Sequence, residues 1–154
     1  MKYRKIIFVS DDDTYRSPIA AALLKHKLQN TAAVPEITSR GLVVLFEEPP
    51  NSKGVILLKD MGINISKHRS RQIDENDFKV NTLVIMMNEK GKRNIYDRFK
   101  NAVNVYTLRE FVGGAGDVEI PYGKTIEEYR DNIEMIKSLI EALADKLMIE
   151  AAEA

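Results

Sequence analysis

The chain has 154 residues, 44% of them hydrophobic, and its 23 basic side chains balance 23 acidic ones. This length suits a single domain, residues 1–154, whose core is large enough to fold without disulfides or a structural metal. The lack of cysteine excludes disulfide frameworks, thiolate zinc sites, iron–sulfur clusters and a thiol nucleophile. The neutral charge predicts no nucleic-acid partner. No apolar run reaches the ~18 residues of a membrane span, so we expect a cytoplasmic protein with no membrane association.

The chain opens with a pattern of strand, loop and helix. Residues 5–9, KIIFV, are β-branched and aromatic, which predicts a buried parallel strand. A polar loop follows, and we expect Ser17 to cap a helix whose first residue is Pro18. Ligands of parallel α/β folds bind at the carboxyl ends of the strands. Residues 10–17, here named the 10–17 loop, are therefore the first place to look for function.

Strands and helices alternate along the rest of the chain. The predicted strands are residues 5–9, 37–45, 82–87 and 103–106. The predicted helices are residues 18–28, 52–61, 89–99 and 126–149, with fraying at 150–154 and a short helical turn at 74–77. Polar residues suited to capping precede the last three helices, namely Asn51 or Ser52, Asn88 and Thr125. This alternation predicts a doubly wound, three-layer α/β fold with a four-stranded, mostly parallel sheet.

The 10–17 loop has the composition of an anion site. A loop that enters a helix N-terminus presents backbone N–H groups and the positive end of the helix dipole, which suits phosphate. Arg16 adds a planar fork of donors for phosphoryl oxygens. On spacing alone, a solvated surface loop with one arginine is an equally good interpretation.

The loop also carries a family resemblance. Residues 9–18, VSDDDTYRSP, resemble the phosphate-binding loop of the low-molecular-weight protein tyrosine phosphatases, whose pattern is V-C-x-G-N-x-C-R-S-P. The segments GINISKHRSRQI, TLVIMMN and GDVEIPYGKTIEEY resemble later segments of that family in the same order. The resemblance covers essentially the whole chain and implies the fold of that family.

The departures from the family pattern concern its chemistry. In the family the first loop cysteine attacks phosphorus, the arginine binds the phosphoryl oxygens and the next serine stabilises the thiolate. An aspartate in a D-P-[YF] motif protonates the leaving oxygen. Arg16 and Ser17 match this pattern, but Ser10 stands at the nucleophile position and Ile120 at the acid position. The resemblance therefore implies a divergent member that lacks both reactive groups.

Each departure has a chemical consequence. A thiol ionises readily beside an arginine at a helix N-terminus, whereas a serine needs an adjacent general base. Asp11 or Asp13 is a conceivable base. Ile120 cannot donate a proton, which removes assistance worth ~100-fold to 10,000-fold. Asp117 and Glu119 lie near the acid position but out of register with it.

Three consecutive aspartates change the character of the loop. Asp12 and Asp13 replace the family glycine and asparagine, and Tyr15 replaces the second cysteine. The carboxylates either point outward or cap the helix, or one of them pairs with Arg16 in the empty anion site, or they collect Mg2+. Their repulsion predicts weak phosphate binding. The candidate ligand-binding residues are Asp11, Asp12, Asp13, Thr14, Tyr15, Arg16, Ser17 and Tyr122.

The leading hypothesis is a pseudophosphatase that binds an unknown protein or small ligand at the modified loop, with no cofactor. The alternative is residual or metal-assisted hydrolysis of phosphomonoesters through the aspartates, with Asp11 and Asp13 as possible Mg2+ ligands. Receiver domains and haloacid-dehalogenase-type phosphatases also carry acidic residues after a first strand, but neither explains EIPYGKTIEEY. We expect His26 and His68 to be solvated.

Overall fold

The computed structural model describes residues 1–121, 123 and 125–153. Over these residues the chain forms a four-stranded sheet in the order β2-β1-β3-β4, with every neighbouring pair parallel. The strands are β1 Lys5–Ser10, β2 Glu36–Gly41, β3 Thr82–Met86 and β4 Val105–Thr107. The predicted doubly wound α/β fold is confirmed.

The helices connect the strands and close the chain. They are α1 Arg16–Leu28, α2 Ser52–Asp60, α3 Glu89–Arg98, α4 Leu108–Phe111 and α5 Ile126–Glu153, with a 3-10 turn at Glu75–Asp77. The caps predicted for α2 and α3 are confirmed, because the Asn51 and Asn88 side chains accept hydrogen bonds from the N–H groups of Gly54 and Gly91. The short helix α4 was not predicted.

Two apolar layers sandwich the sheet. Alternate residues of β1 face opposite sides, so Ile6 and Phe8 join one core cluster while Ile7 and Val9 join the other. The first cluster includes residues of α1, α2 and α5, and the second includes Ile95 of α3. The two central strands, β1 and β3, are almost entirely buried, as parallel strands covered on both faces should be.

Several predicted boundaries were wrong, each for a local reason. Helix α1 begins at Arg16, with Tyr15 at the cap position and no side-chain cap, so Ser17 lies inside the helix. Strand β4 begins only at Val105, because Asn104 adopts a left-handed φ of 57°. Helix α5 continues to Glu153, since the terminal alanines and glutamates are strong helix formers.

The topology places the 10–17 loop at the reversal of strand order. Strand β1 leads to β2 on one side of it and β3 leads to β4 on the other side, so the connections from the carboxyl ends of the adjacent strands β1 and β3 run in opposite directions. In the described part of the chain, none of the helices has the length and apolar character that crossing a membrane requires.

Candidate functional site

The backbone of the 10–17 loop turns sharply without strain at Asp12. The left-handed residue is Asp13, with φ 62°, a conformation that aspartate tolerates better than most residues. The Asp12 carboxylate accepts hydrogen bonds from the Thr14 backbone N–H at 3.1 Å and from the Thr14 hydroxyl at 2.7 Å. Replacement of the family glycine by Asp12 is therefore accommodated by a local side-chain turn.

A chain of hydrogen bonds runs from Ser10 into the interior. The Ser10 and Ser17 hydroxyl oxygens lie 2.6 Å apart, and the Ser17 hydroxyl donates to Asp13 Oδ1 at 2.7 Å. All three side chains are buried. A serine hydroxyl has a single hydrogen, and Ser17 gives its own to Asp13, so the Ser10 hydroxyl must donate to Ser17. Two successive hydrogen bonds therefore connect the Ser10 hydroxyl, at the position expected for the nucleophile, with the Asp13 carboxylate.

The buried Asp13 carboxylate has further partners on its other side. Asp13 Oδ2 accepts from the Arg71 backbone N–H at 3.0 Å, and His68 Nε2 lies 3.6 Å from the same oxygen. Burial raises the pKa of this carboxyl above its ordinary value, although hydrogen bonds from Ser39 and Ser17 and the charge of His68 oppose the shift. A carboxyl with a raised pKa is a stronger base once it is ionised.

Arg16 holds protein oxygens with its guanidinium group. Its Nη1 donates to the Val118 carbonyl oxygen at 2.7 Å, and its Nη2 lies 3.4 Å from Asp11 Oδ2. The Arg16 side chain is buried, whereas that of Asp11 is 69% exposed. Of the three arrangements considered for the aspartates, pairing with Arg16 applies to Asp11, while Asp12 forms the local turn and Asp13 is turned inward.

A cleft of about 220 Å³ opens at the mouth of the loop. Residues of the loop line one wall, and Asn51, Ile120, Pro121 and Tyr129 contribute others. Asp11, Asp12, Thr14 and Arg16 are among the loop residues in this lining. Asp13 and Ser17 are buried behind the loop and are not among the residues that line the cleft. Tyr122, also expected there, lies outside the described residues.

Tyr15 is a structural residue of the loop rather than an exposed contact. Its side chain is buried, and its hydroxyl donates to Asn132 Oδ1 at 2.7 Å. Its ring meets that of Tyr129 edge to face, with centroids 5.3 Å apart. Burial raises the pKa of the phenol well above its ordinary value, so Tyr15 stays protonated. The tyrosine thus ties the loop to α5, although part of it reaches the cleft.

The position expected from the sequence to hold the acid has an exposed apolar side chain. Ile120 is 56% exposed and lies at the cleft. Asp117, considered as a substitute acid, instead accepts a hydrogen bond from the Glu89 N–H at 2.9 Å at the start of α3. Glu119 is exposed and is not among the residues that line the cleft. Over residues 1–121, 123 and 125–153, no three His, Cys, Asp or Glu side chains are grouped to hold a metal ion.

His68 was missed by sequence reasoning. We expected a solvated side chain, but its Nε2 lies 2.8 Å from the Asp13 carbonyl oxygen, and the side chain is mostly buried. The contact joins residues 55 positions apart, so no local pattern could have revealed it. His26, in contrast, is exposed on α1 as expected.

Comparisons with known proteins agree on the family. The model of the low molecular weight phosphotyrosine protein phosphatases matches residues 5–153. A protein-arginine-phosphatase of Geobacillus stearothermophilus is 36% identical over 152 residues, which cover 97% of this chain and 99% of that protein.

Solved structures extend the comparison to three dimensions. The YwlE arginine phosphatase from Geobacillus stearothermophilus has a TM-score of 0.87 and 36% identity, covering 97% of this chain and 96% of its own. A cysteine-to-serine mutant of YwlE arginine phosphatase, with a phosphorylated active-site serine, has a TM-score of 0.85 and 30% identity, covering 94% of this chain and 95% of its own. With the sequence matches, these similarities show that the chain belongs to the low-molecular-weight phosphotyrosine protein phosphatase family.

Proposed function

We propose that this protein is a pseudophosphatase of its family: it binds a phosphorylated ligand or protein partner at the 10–17 loop and does not turn it over. The proposal rests on one observation: the chain has Ser10 at the nucleophile position and also the exposed Ile120 at the acid position. The cytoplasmic location expected from the sequence belongs to the same proposal.

A serine at the nucleophile position slows the second step of the family reaction, the hydrolysis of the phosphorylated nucleophile that allows further turnover. A thiol with a pKa of ~8.5 is a good nucleophile when ionised and also a good leaving group. An alcohol ionises far above neutral pH, as water does at ~15.7, so a phosphoserine ester is much harder to hydrolyse than a phosphocysteine. Ile120 offers no proton to a leaving group and no base to an attacking water.

Arg16 and the N-terminus of α1, the groups suited to bind an anion, support a role in ligand binding. Arg16 is buried at the start of α1, where its guanidinium group and the helix dipole both favour an anion. Two protein oxygens hold the guanidinium group in place, those of Val118 and Asp11. A phosphoryl group would compete with the exposed Asp11 carboxylate for the same donors. We therefore expect weaker anion binding than an arginine without this competitor would give.

The relatives suggest which phosphorylated groups to try. One is a protein-arginine-phosphatase, so phosphoarginine stands beside phosphotyrosine as a candidate ligand class. Binding of either class is a proposal for this chain.

The test is turnover of an aryl phosphate by the unmodified protein, in EDTA and then in Mg2+. Arg16→Ala supplies the background, and Arg16→Lys separates loss of charge from loss of the planar fork. We expect no turnover above the Arg16→Ala background in either buffer. Steady hydrolysis that disappears in Arg16→Ala would overturn the proposal.

The alternative is residual phosphomonoester hydrolysis, and one observation favours it. The Ser10 hydroxyl is connected through Ser17 to the ionisable Asp13, which supplies the general base that serine requires. A metal-assisted form would need Asp11 and Asp13 together, yet their side chains have different partners, Arg16 and Ser17. Activity that depends on Mg2+ and is lost in Asp11→Asn would support the metal-assisted form.

A further inference from the structure

We propose that Ser10 is a phosphorylation site that accepts one phosphoryl group from an activated aryl phosphate and then retains it. The inference deepens the proposed function and rests on it, because a protein that completed the hydrolysis would not keep the group. The protein would then act as a binding protein phosphorylated on Ser10 rather than as a catalyst. The loop offers a base for the transfer and a counter-charge for the product, and it lacks the acid that hydrolysis of the product would need.

The base is reached through a hydrogen-bond chain of fixed direction. Ser10 donates to Ser17, which in turn donates to Asp13 Oδ1, over distances of 2.6 Å and 2.7 Å. The other Asp13 oxygen is held by the Arg71 N–H. Because every hydrogen in this chain points toward Asp13, a proton leaving Ser10 has a path that needs no rearrangement of side chains.

The transfer balances without any further reactant. The Ser10 oxygen forms a bond to phosphorus while the bond from phosphorus to the aryl oxygen breaks. The Ser10 proton passes to Ser17, whose own proton passes to the Asp13 carboxylate. The aryl group leaves as a phenolate, takes a proton from solvent, and Asp13 later returns its proton to solvent. Since Ile120 cannot protonate the leaving oxygen, donors with a stable phenolate are the substrate class that fits.

The product has a counter-charge beside it. Arg16 and Ser10 both line the cleft, so a phosphoryl group on Ser10 would share this cleft with the guanidinium group. A dianion competes for Arg16 better than the exposed carboxylate of Asp11 or the neutral carbonyl of Val118. Phosphorylation is therefore expected to take Arg16 from Val118, and so to alter the segment that carries Ile120.

Persistence follows from the same residues. Hydrolysis of phosphoserine must expel an alkoxide, and the acid position that would assist it holds Ile120. A relative of the same fold supports the outcome, since a cysteine-to-serine mutant of YwlE arginine phosphatase contains a phosphorylated active-site serine. In the present chain a serine occupies that position without mutation, and the loop supplies Asp13 as well.

The experiment is intact-protein mass spectrometry after incubation of the full chain with para-nitrophenyl phosphate, with nitrophenolate release followed in parallel. We expect one phosphoryl group per protein, located on Ser10 by peptide mapping, and a single burst of nitrophenolate of equal size. Ser10→Ala should show neither. Protein that shows neither burst nor modification would overturn this inference and leave the proposed function standing. Continuous release of nitrophenolate would overturn both.

The role of Asp13 as a positioning residue has its own readout. Asp13→Asn should slow phosphorylation of Ser10 by ~100-fold and abolish its rise with pH as the Asp13 carboxyl ionises. The groups that face this carboxyl are Ser17, Ser39, the Arg71 N–H and His68, of which His68 is the titratable one. His68→Gln therefore tests whether the pH profile belongs to the imidazole. Asp145→Asn, an exposed change of the same kind on α5, is the matched control. A pH profile unchanged in Asp13→Asn would contradict the relay.

Discussion

Ser17 lies one helical residue after Arg16, yet its hydroxyl turns back to Ser10, 2.6 Å away, rather than capping the helix. The contact joins the last residue of β1 to the second residue of α1. It makes Ser10, which stands at the position expected for the nucleophile, part of a buried polar network.

Removal of the central hydroxyl tests that link. Ser17→Ala leaves the Ser10 hydroxyl without its acceptor and Asp13 Oδ1 without its donor, and both groups stay buried. We expect the free energy of unfolding to fall by about 1–3 kcal/mol, as measured by urea denaturation. Ser17→Thr keeps a hydroxyl and serves as the matched variant. If Ser17→Ala and the unmodified protein have the same free energy of unfolding, the network makes no net contribution to stability.

The buried Asp13 predicts a pH dependence of stability. Burial raises the pKa of its carboxyl, so the folded protein binds this proton more tightly than the unfolded chain does. The contribution is complete below the ordinary carboxyl pKa of ~3.9 and is lost as the pH rises to the raised pKa of the folded state. Relative to Asp13→Asn, the unmodified protein should lose stability across that window and change no further above it.

Urea denaturation in steps of pH measures this difference. Asp145→Asn should run parallel to the unmodified protein, since that carboxyl is exposed on α5. His68→Gln isolates the contribution of the imidazole that lies 3.6 Å from Asp13 Oδ2. A stability difference that grew in favour of the unmodified protein as pH rose would contradict the assignment.

Asp11 is predicted to limit anion binding. Its carboxylate lies 3.4 Å from Arg16, and Asp11→Asn removes a negative charge that a phosphate must face. Unit charges ~5 Å apart interact by ~3 kcal/mol at an effective dielectric near 20, and exposure to solvent reduces that value. We expect affinity for inorganic phosphate, measured by calorimetry, to rise by about 3- to 10-fold. Asp12→Asn should have the smaller effect, because that exposed carboxylate is engaged by Thr14.

Family chemistry should be recoverable in part. The double variant Ser10→Cys/Ile120→Asp introduces the missing nucleophile and acid, and the exposure of Ile120 leaves room for the carboxyl. We expect turnover of para-nitrophenyl phosphate to appear, and Asp11→Asn to increase it further by freeing Arg16. Ser10→Cys alone should be slower by ~100-fold or more. If the double variant stays inactive, residues other than these two also prevent the reaction.

Tyr15 is predicted to stabilise the loop. Its hydroxyl donates to Asn132 of α5 at 2.7 Å, and Tyr15→Phe removes that bond while keeping the ring. The expected cost is about 1 kcal/mol of unfolding free energy, measured by chemical denaturation. Tyr96→Phe makes the same chemical change at an exposed site on α3 and should be close to neutral. If the two changes have equal effects, the hydrogen bond of the Tyr15 hydroxyl does not stabilise the loop.

Much of the fold was predictable because its signals are local. A few consecutive residues are enough to identify two of the strands, from the apolar runs at residues 5–9 and 82–87. The same is true of two helix caps, Asn51 and Asn88. Strand β4 was misplaced because the left-handed Asn104, whose side chain donates to the Val80 carbonyl oxygen, interrupts the apparent run. That contact is long-range and has no signature in neighbouring residues.

The site was predictable in its members but not in their arrangement. Three consecutive aspartates look alike in the sequence, yet one pairs with Arg16, one forms a turn with Thr14 and one is buried with Ser17. The difference arises from the left-handed Asp13, which turns its side chain inward. His68 joins from a segment far along the chain, so only the tertiary structure shows that it contributes.

Gly41, at the end of β2, gives the loop a support that lies outside its own sequence. A Cβ at this position would meet the Asp12 carbonyl carbon at 2.8 Å, and the N–H groups of Leu42 and Val43 donate to the carbonyls of Ser10 and Asp11. The end of β2 and the two residues that follow it thus hold the backbone of the loop in place. Because these contacts are made to main-chain atoms of the loop, they do not depend on which side chains Ser10, Asp11 and Asp12 carry. A larger side chain at Gly41 would therefore displace the loop backbone without changing any residue of the loop itself.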